Sequence, residues 1–397
     1  MIQGKERFED YCLCTFNRLQ ILHLTDYVLF ASFCFCFLCG LESDILLLFL
    51  TKTTGFDIPD LPYIYAFLYT AILIGIQILL NRKLRLDGQR HVLSFIPSFL
   101  LLAFTSSFIP DFSLLSALLL TTGLVLFVIF CCFFRQSPSA SAMFPQLLIP
   151  NLACMLGCFA FVSLVSNTND ELHYELRIQN LYAKGEYKKA LLVGNKSLAT
   201  NCRLLALRAL SLARIGEMGE SLFEYPIPEN NTDLFLHQSD VPYMMLPMDS
   251  VTNVIGYMPS ERESMLQMSK HLSPAFLRNN PSLRDYWLCT LLLQKRLDDF
   301  AIWLPRFYKI SDKLPKHYRE ALILYRSLFV HPRIIYDGTA SEEANYTDFM
   351  ELGDKYADAV ERKNCLRRLY GDTYWWFFFE TDTKDRPLLS DCYRHTR

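Results

Sequence analysis

The sequence predicts an all-α protein in two unlike parts. An N-terminal transmembrane helix bundle is expected over residues 1–166 and an α-helical, repeat-like domain over 167–397. Three observations predict this. Hydrophobic residues make up 51% of the 397, but they crowd into long runs that stop at about Ser166. From Asn167 onward, apolar residues instead return at the three- and four-residue spacing of a helix face. The second part also opens with Leu181-Tyr-Ala-Lys-Gly-Glu-Tyr-Lys-Lys-Ala190, two helical stretches hinged at a glycine.

A bilayer crossing needs roughly 17–25 mainly apolar residues. Residues 61–80, 91–109, 112–134 and 147–166 meet that length cleanly. The run 21–41 meets it with His23, Thr25 and Asp26 near its start, and is read as the first of five spans. The mixed charge before it argues against a cleaved leader. Asp26, His23 and His91 all lie near span ends, so they are expected to reach for water at the interface. No inverted repeat is visible, which disfavours a carrier, and Pro97 and Pro150 are expected to kink their helices.

Positive charge in the short loops sets orientation. Arg82, Lys83, Arg85 and Arg90 follow the second span and Arg135 the fourth. The loop after the first span has only Lys52 against Glu42, Asp44, Asp57 and Asp60, and the Pro110-Asp111 turn has no positive charge. This places the N-terminus inside, and five spans put the second part outside the cytoplasm. The outer loop 42–60 carries an apolar patch, Ile45–Leu50, too short to cross. It can lie along the membrane surface or pack on the bundle.

In the second part, Asn169 or Asp170 can cap a helix reaching Lys184, and Gly185 ends it. Tyr187–Leu198 forms the next helix, and Asn201 starts a third over Cys202–Ile215, stopped by Gly216 before a fourth from Met218. The pattern Leu-Tyr-x-x-Gly-x-Tyr-x-x-Ala matches the middle of a tetratricopeptide repeat. Glycine permits the tight turn, and Tyr187 and Ala190 let the second helix pack closely on the first. The Gly216 turn comes 31 residues later, against about 34 in the usual repeat. One hairpin cannot bury its face alone, so neighbours must stack on it.

The segment 225–274 is broken by Pro226, Pro228, Pro242, Pro247 and Pro259 and is rich in methionine, read as filler of irregular core gaps. Residues 253–257 form a short helix or strand. Helix pairs resume at Leu283–Gln294 and Asp298–Tyr308, turning around Lys295. A helix follows Leu314, with Pro315 in its first turn; residues 331–343 form a loop, and Tyr346–Leu369 one long helix. The aromatic cluster 370–379 is expected to close the helical stack, with an interfacial anchor as the alternative.

No chemistry stands out. The eight histidines show no metal-ligand spacing, and His317 with Glu320, one turn apart, reads as a structural pair. Of the 13 cysteines, nine sit in or beside apolar runs as small hydrophobes, and Cys202, Cys289, Cys365 and Cys392 form no C-x-x-C pair. A disulfide among these four stays open. Nucleophile signatures and phosphate-cradling glycine loops are absent, so no catalytic residue, cofactor or metal is expected. The formal charge of −2 gives no support to nucleic acid. The sequons at Asn195, Asn230 and Asn345 matter only in a glycosylating cell.

Leu314-Pro-Lys-His-Tyr-Arg-Glu-Ala-Leu-Ile-Leu-Tyr325 and Tyr370-Gly-Asp-Thr-Tyr-Trp-Trp376 resemble recurring signatures of uncharacterised bacterial multi-spanning membrane proteins with a tetratricopeptide-like C-terminal region. The resemblance implies a multi-pass inner-membrane protein with a periplasmic helical domain, and supplies no reaction. Two functions fit. One is a non-enzymatic scaffold, embedded in the lipid bilayer, whose helical groove binds a protein or peptide partner through Tyr182, Tyr187 and Arg208. The other is a membrane enzyme or accessory of envelope glycan or lipid assembly.

Overall fold

In the computed structural model the chain forms two compact units, Met1–Asn169 and Asp170–Arg397. The structure describes residues 2–55, 61–84, 86, 88–107, 122–123, 144–228, 233–236, 243–256 and 273–380; for 2–19, 88–90, 144–147, 248 and 252 it describes the backbone alone. The fold class is all-α, with no strand among the described residues.

The first unit comprises α1 (Ile2–Gly40), α2 (Ser43–Thr54), α3 (Pro62–Leu84), a 3-10 stretch Gly88–Phe95 running into α4 (Ile96–Ser106), and α5 (Phe144–Val165). Three helical segments are long and apolar enough to cross a membrane: Gln20–Gly40, Pro62–Leu84 and Leu148–Val165. The expected span 91–109 is shorter, His91–Ser106. Its 3-10 start is the compensation. Five residues rising about 2.0 Å each and eleven rising about 1.5 Å reach roughly 26 Å, close to the hydrocarbon thickness of about 30 Å. The expected span 112–134 lies outside the described residues.

Side-chain pairings fix the helix directions. Asp26 and Asn151 meet near the starts of the apolar stretches Gln20–Gly40 and Leu148–Val165, while Asn167 N, just past α5, donates to Ser106 O at the end of α4. Tyr69 meets Thr105 and Gln77 meets Ser94, so α3 runs against α4. Phe30, Phe33, Phe99 and Phe159 stack between α1, α4 and α5, with Phe33 and Phe159 rings 4.1 Å apart.

This unit has an apolar core with a set of polar residues buried in it, and an apolar exterior. Asp26, Gln77, His91, Ser94, Ser98 and Asn151 are buried, whereas Leu24, Phe67, Ile72, Leu79, Leu156 and Leu164 are exposed. A belt of exposed apolar side chains around an interior that holds the polar groups is what lipid as solvent selects. The 42–60 patch, left open by the sequence, becomes α2. Four consecutive residues, Ile45 to Leu48, are buried in it. Consecutive positions point around the whole helix, so α2 is enclosed by the bundle rather than laid flat on a surface. Gly55 closes it in the left-handed conformation.

The second unit starts with α6 (Asp170–Ala183), α7 (Tyr187–Leu192), α8 (Cys202–Ile215) and the single turn α9 (Met218–Ser221). It continues with α10 (Met248–Ile255), α11 (Pro274–Asn279), α12 (Pro281–Leu293), α13 (Leu297–Trp303) and α14 (Lys316–Leu328). It closes with α15 (Ala340–Lys355), α16 (Ala359–Tyr370) and α17 (Tyr374–Glu380). Three hairpins share one turn. Gly185 N, Gly216 N and Lys295 N bond the carbonyls of Tyr182, Ala213 and Leu292, and the next residues' N–H groups bond those of Leu181, Leu212 and Leu291. All three turn residues have positive φ, and Lys295 is the one non-glycine. Its ammonium stands 5.5 Å and 5.6 Å from the ring centres of Phe377 and Phe378, a cation–π contact that offsets the strain of its backbone.

Three helices differ from expectation. One, expected over Asp298–Tyr308, is α13 ending at Trp303 with a 3-10 turn over Leu304–Arg306. The helix from Tyr187 stops at Leu192, not Leu198, because Val193 is extended and Gly194 is left-handed. The Tyr174 ring leaves no room for a Cβ at Gly194, with 2.7 Å to its nearest atom. The expected helix 346–369 is two helices, because Asp358 accepts the N–H groups of Val360 and Glu361 and caps a new start. Asn201 caps α8 and Asn280 caps α12, each accepting the N–H three residues on. The loop after α14 ends at Thr339, which forms a capping box with Glu342. The aromatic cluster packs inward: Tyr374, Trp375, Phe377 and Phe378 are buried in the core.

Candidate functional site

In the first unit, two of the residues expected to snorkel, Asp26 and His91, are buried, and His23 is half-buried. Asp26 and His91 are 2% and 1% exposed. His91 Nδ1 lies 3.0 Å from Asp26 Oδ2, and Asn151 Nδ2 donates to the same oxygen at 3.3 Å. Gln77 Nε2 is 3.4 Å from His91 Nε2 and donates to Ser94 Oγ at 2.6 Å. Ser94 in turn donates to the His91 carbonyl. His23 stacks on His91 with ring centres 3.9 Å apart, and Tyr27 meets the same ring edge-on. Interfacial positions in sequence thus become interior ones, because four elements of the bundle bring partners to them. Periodicity held a faint trace of this: His23, Asp26 and Tyr27 lie on one face of α1, and Gln77 interrupts an apolar run on α3.

At the other end of the first apolar stretch, past Gly40, Glu42 is buried ahead of α2. Burial pushes its carboxyl up to about 7, against a hydrogen bond from Ser166 that pulls it down.

In the second unit, the two signature segments meet. Glu320 Oε2 receives His317 Nδ1 at 2.9 Å and the Tyr374 backbone N–H at 2.7 Å. Trp375 Nε1 donates to the Glu320 carbonyl, and Tyr374 OH to the Leu292 carbonyl. Lys316 Nζ spans to the Asp372 carbonyl and carboxylate, both at 2.9 Å. A second buried cluster lies on α12 and α14. Asp285 accepts Tyr308 OH at 2.6 Å and Tyr318 OH at 3.4 Å, and Arg284 donates to Tyr308 OH. Burial pushes the Cys289 thiol up despite a contact with Tyr318 OH that pulls it down, so Cys289 is no thiolate nucleophile.

The second unit also has an open cleft of about 490 Å³ between the 195–200 segment, residues 223–227 and α16–α17. Phe223, Tyr225, Trp376 and Phe377 supply aromatic walls; Lys196, Lys363 and Arg367 supply positive charge, and Glu224 and Glu380 negative charge.

None of the three residues expected to bind a partner lines this cleft. Arg208 is fully buried; its Nη2 donates to the Val193 and Gly194 carbonyls, and its guanidinium lies 4.8 Å from the Tyr225 ring. Burial lowers it from its ordinary value, and Tyr225 and Tyr174 push the other way. Tyr182 is buried and accepts Arg214 Nε at 2.9 Å. Tyr187 is half-buried against the Tyr182 ring, 5.0 Å between centres. For Arg208 and Tyr182 a surface role is therefore replaced by a core role: the arginine ends α7 by bonding carbonyls just past its last turn. Among the described residues, no group of three or more His, Cys, Asp or Glu side chains could hold a metal ion.

Residues 256–381 match the model of a family of unknown function (DUF6057). The matched stretch contains both signature segments and therefore the Glu320 junction. No curated protein and no solved structure matches the chain.

Proposed function

We propose that this is a multi-pass inner-membrane scaffold whose tetratricopeptide-like helical unit, outside the cytoplasm, binds a peptide segment of a partner protein. The observation that carries the reading is the cleft. Its aromatic walls suit apolar side chains, and Lys363, Arg367 and Lys196 on its edges suit a partner segment bearing carboxylates. None of these three cations has an ion pair among the described residues. Like-charge residues would be repelled, so the cations supply specificity more than affinity.

A photo-crosslinking side chain at Lys363 of the full-length protein, in its native cells, tests this. The expected result is a discrete protein adduct, lost in the Arg367→Glu background. Adducts of lipid or glycan alone would reject the scaffold reading and favour a role in envelope assembly.

A further inference from the structure

We infer that the Asp26–His91 pair is a proton-binding site inside the membrane unit, with the Gln77 side-chain amide following the proton.

The inference starts from charge. An ionised carboxylate buried in a membrane unit is costly unless something neutralises it. Asp26 is 2% exposed, and its two described hydrogen-bond partners are His91 and Asn151. The groups facing the pair are His23 and Tyr27 on α1, Gln77 on α3, Ser94 on the 3-10 stretch, and Asn151 on α5. Cys154, also on α5, lies within electrostatic reach of Asp26. No lysine or arginine among the described residues pairs with Asp26. Neutral imidazole beside ionised carboxylate leaves the site at net −1; one added proton makes it neutral.

The geometry says where that proton goes. His91 Nδ1 faces Asp26 Oδ2, so Nδ1 carries hydrogen in either state and donates to the carboxylate. The added proton therefore binds Nε2. The Gln77 NH2 faces Nε2, which suits a ring nitrogen with a lone pair. Gln77 Oε1 has no hydrogen-bond partner. A half-turn of the amide breaks no bond at that oxygen and sets it against a protonated Nε2. Ser94 Oγ then turns its one hydrogen from the His91 carbonyl to the amide oxygen, exchanging one accepted bond for another.

His23 is half-buried and stacked on His91, one turn nearer the start of the span than Asp26. Two stacked imidazolium rings repel, so the His23–His91 stack holds one added proton rather than two. His91 with Asp26 is the resting place, and His23 is the second ring in contact with it. This inference is independent of the cleft.

The test uses the full-length protein in lipid nanodiscs with histidine ring nitrogens labelled with 15N. The His91 signals are assigned by their loss in His91→Gln. As the pH falls from about 8 to about 5, the range where histidine charge changes, His91 Nε2 is expected to gain a proton while Nδ1 keeps its own. Asp26→Asn, which keeps an acceptor facing Nδ1, is expected to weaken proton binding at His91 at least about tenfold, a shift of about one pH unit. Gln77→Leu, which leaves both titrating groups in place, is expected to weaken it less. A His91 ring that holds one protonation state across the whole range overturns the proposal. So does an Asp26→Asn titration that coincides with the wild type, and so does a proton added at Nδ1. If Asp26→Asn does not fold, the wild-type titration and Gln77→Leu decide.

Discussion

Truncating Trp375 to alanine is expected to cost about 4 kcal/mol of local stability, in line with removal of a buried tryptophan. The side chain is 2% exposed, its ring packs against Tyr346 and Phe349, and its Nε1 donates to the Glu320 carbonyl. The loss combines a large cavity with removal of the second hydrogen bond to a carbonyl inside α14. Trp375→Phe separates these: it keeps most of the packing, gives up the hydrogen bond, and should cost only about 1 kcal/mol. A chain with two units does not unfold in one step. The measurement is therefore amide hydrogen exchange across α14 and α17, where the alanine variant should exchange roughly a thousandfold faster. Unchanged protection would mean that α17 is not integral to the core.

Replacing Glu320 with leucine is expected to cost about 3–5 kcal/mol, the range found when one member of a buried pair is removed. One carboxylate oxygen holds both the His317 imidazole and the Tyr374 backbone N–H. Leucine leaves both donors buried without an acceptor, and an orphaned donor costs more than a lost bond. His317 is fully buried, so water cannot substitute. The double variant His317→Leu, Glu320→Leu should recover part of the loss, since removing both partners is cheaper than removing one. The two sites share a junction, so a double-mutant cycle in the same exchange assay should show coupling above about 0.5 kcal/mol. Additivity would mean that the His317–Glu320 contact contributes nothing.

That junction shows what could be read from the chain. Each of the two segments stood out in the sequence, but nothing in either says that they touch. They are 45 residues apart between Tyr325 and Tyr370, and only the folded unit brings Glu320 to Tyr374. Local signals were legible wherever local chemistry decides. Asn201 starts α8, Gly216 ends it, and Lys295 marks the α12–α13 turn, because caps and left-handed turns depend on a few adjacent residues. The early stop of α7 was not legible, since it depends on Tyr174 and Arg208 from other helices. The break at Asp358 could have been found, because aspartate followed three positions on by glutamate is a helix-start signal.

The first unit shows the same limit. Apolar length gave the long helices, but it placed His91 and Asp26 at an interface. Their burial follows from pairing across α1, the 3-10 stretch and α5, which no single segment encodes. The cleft is likewise made by parts far apart in sequence, 195–200 and 363–380.

The proposed scaffold role requires the helical unit to lie outside the cytoplasm. Val360 is 68% exposed on α16, so Val360→Cys presents a new thiol without disturbing the core. Intact spheroplasts carrying this variant should react with a membrane-impermeant maleimide beyond the level of the wild-type chain, and lysis should add little. Labelling that appears only after lysis would place the helical unit in the cytoplasm and contradict the account.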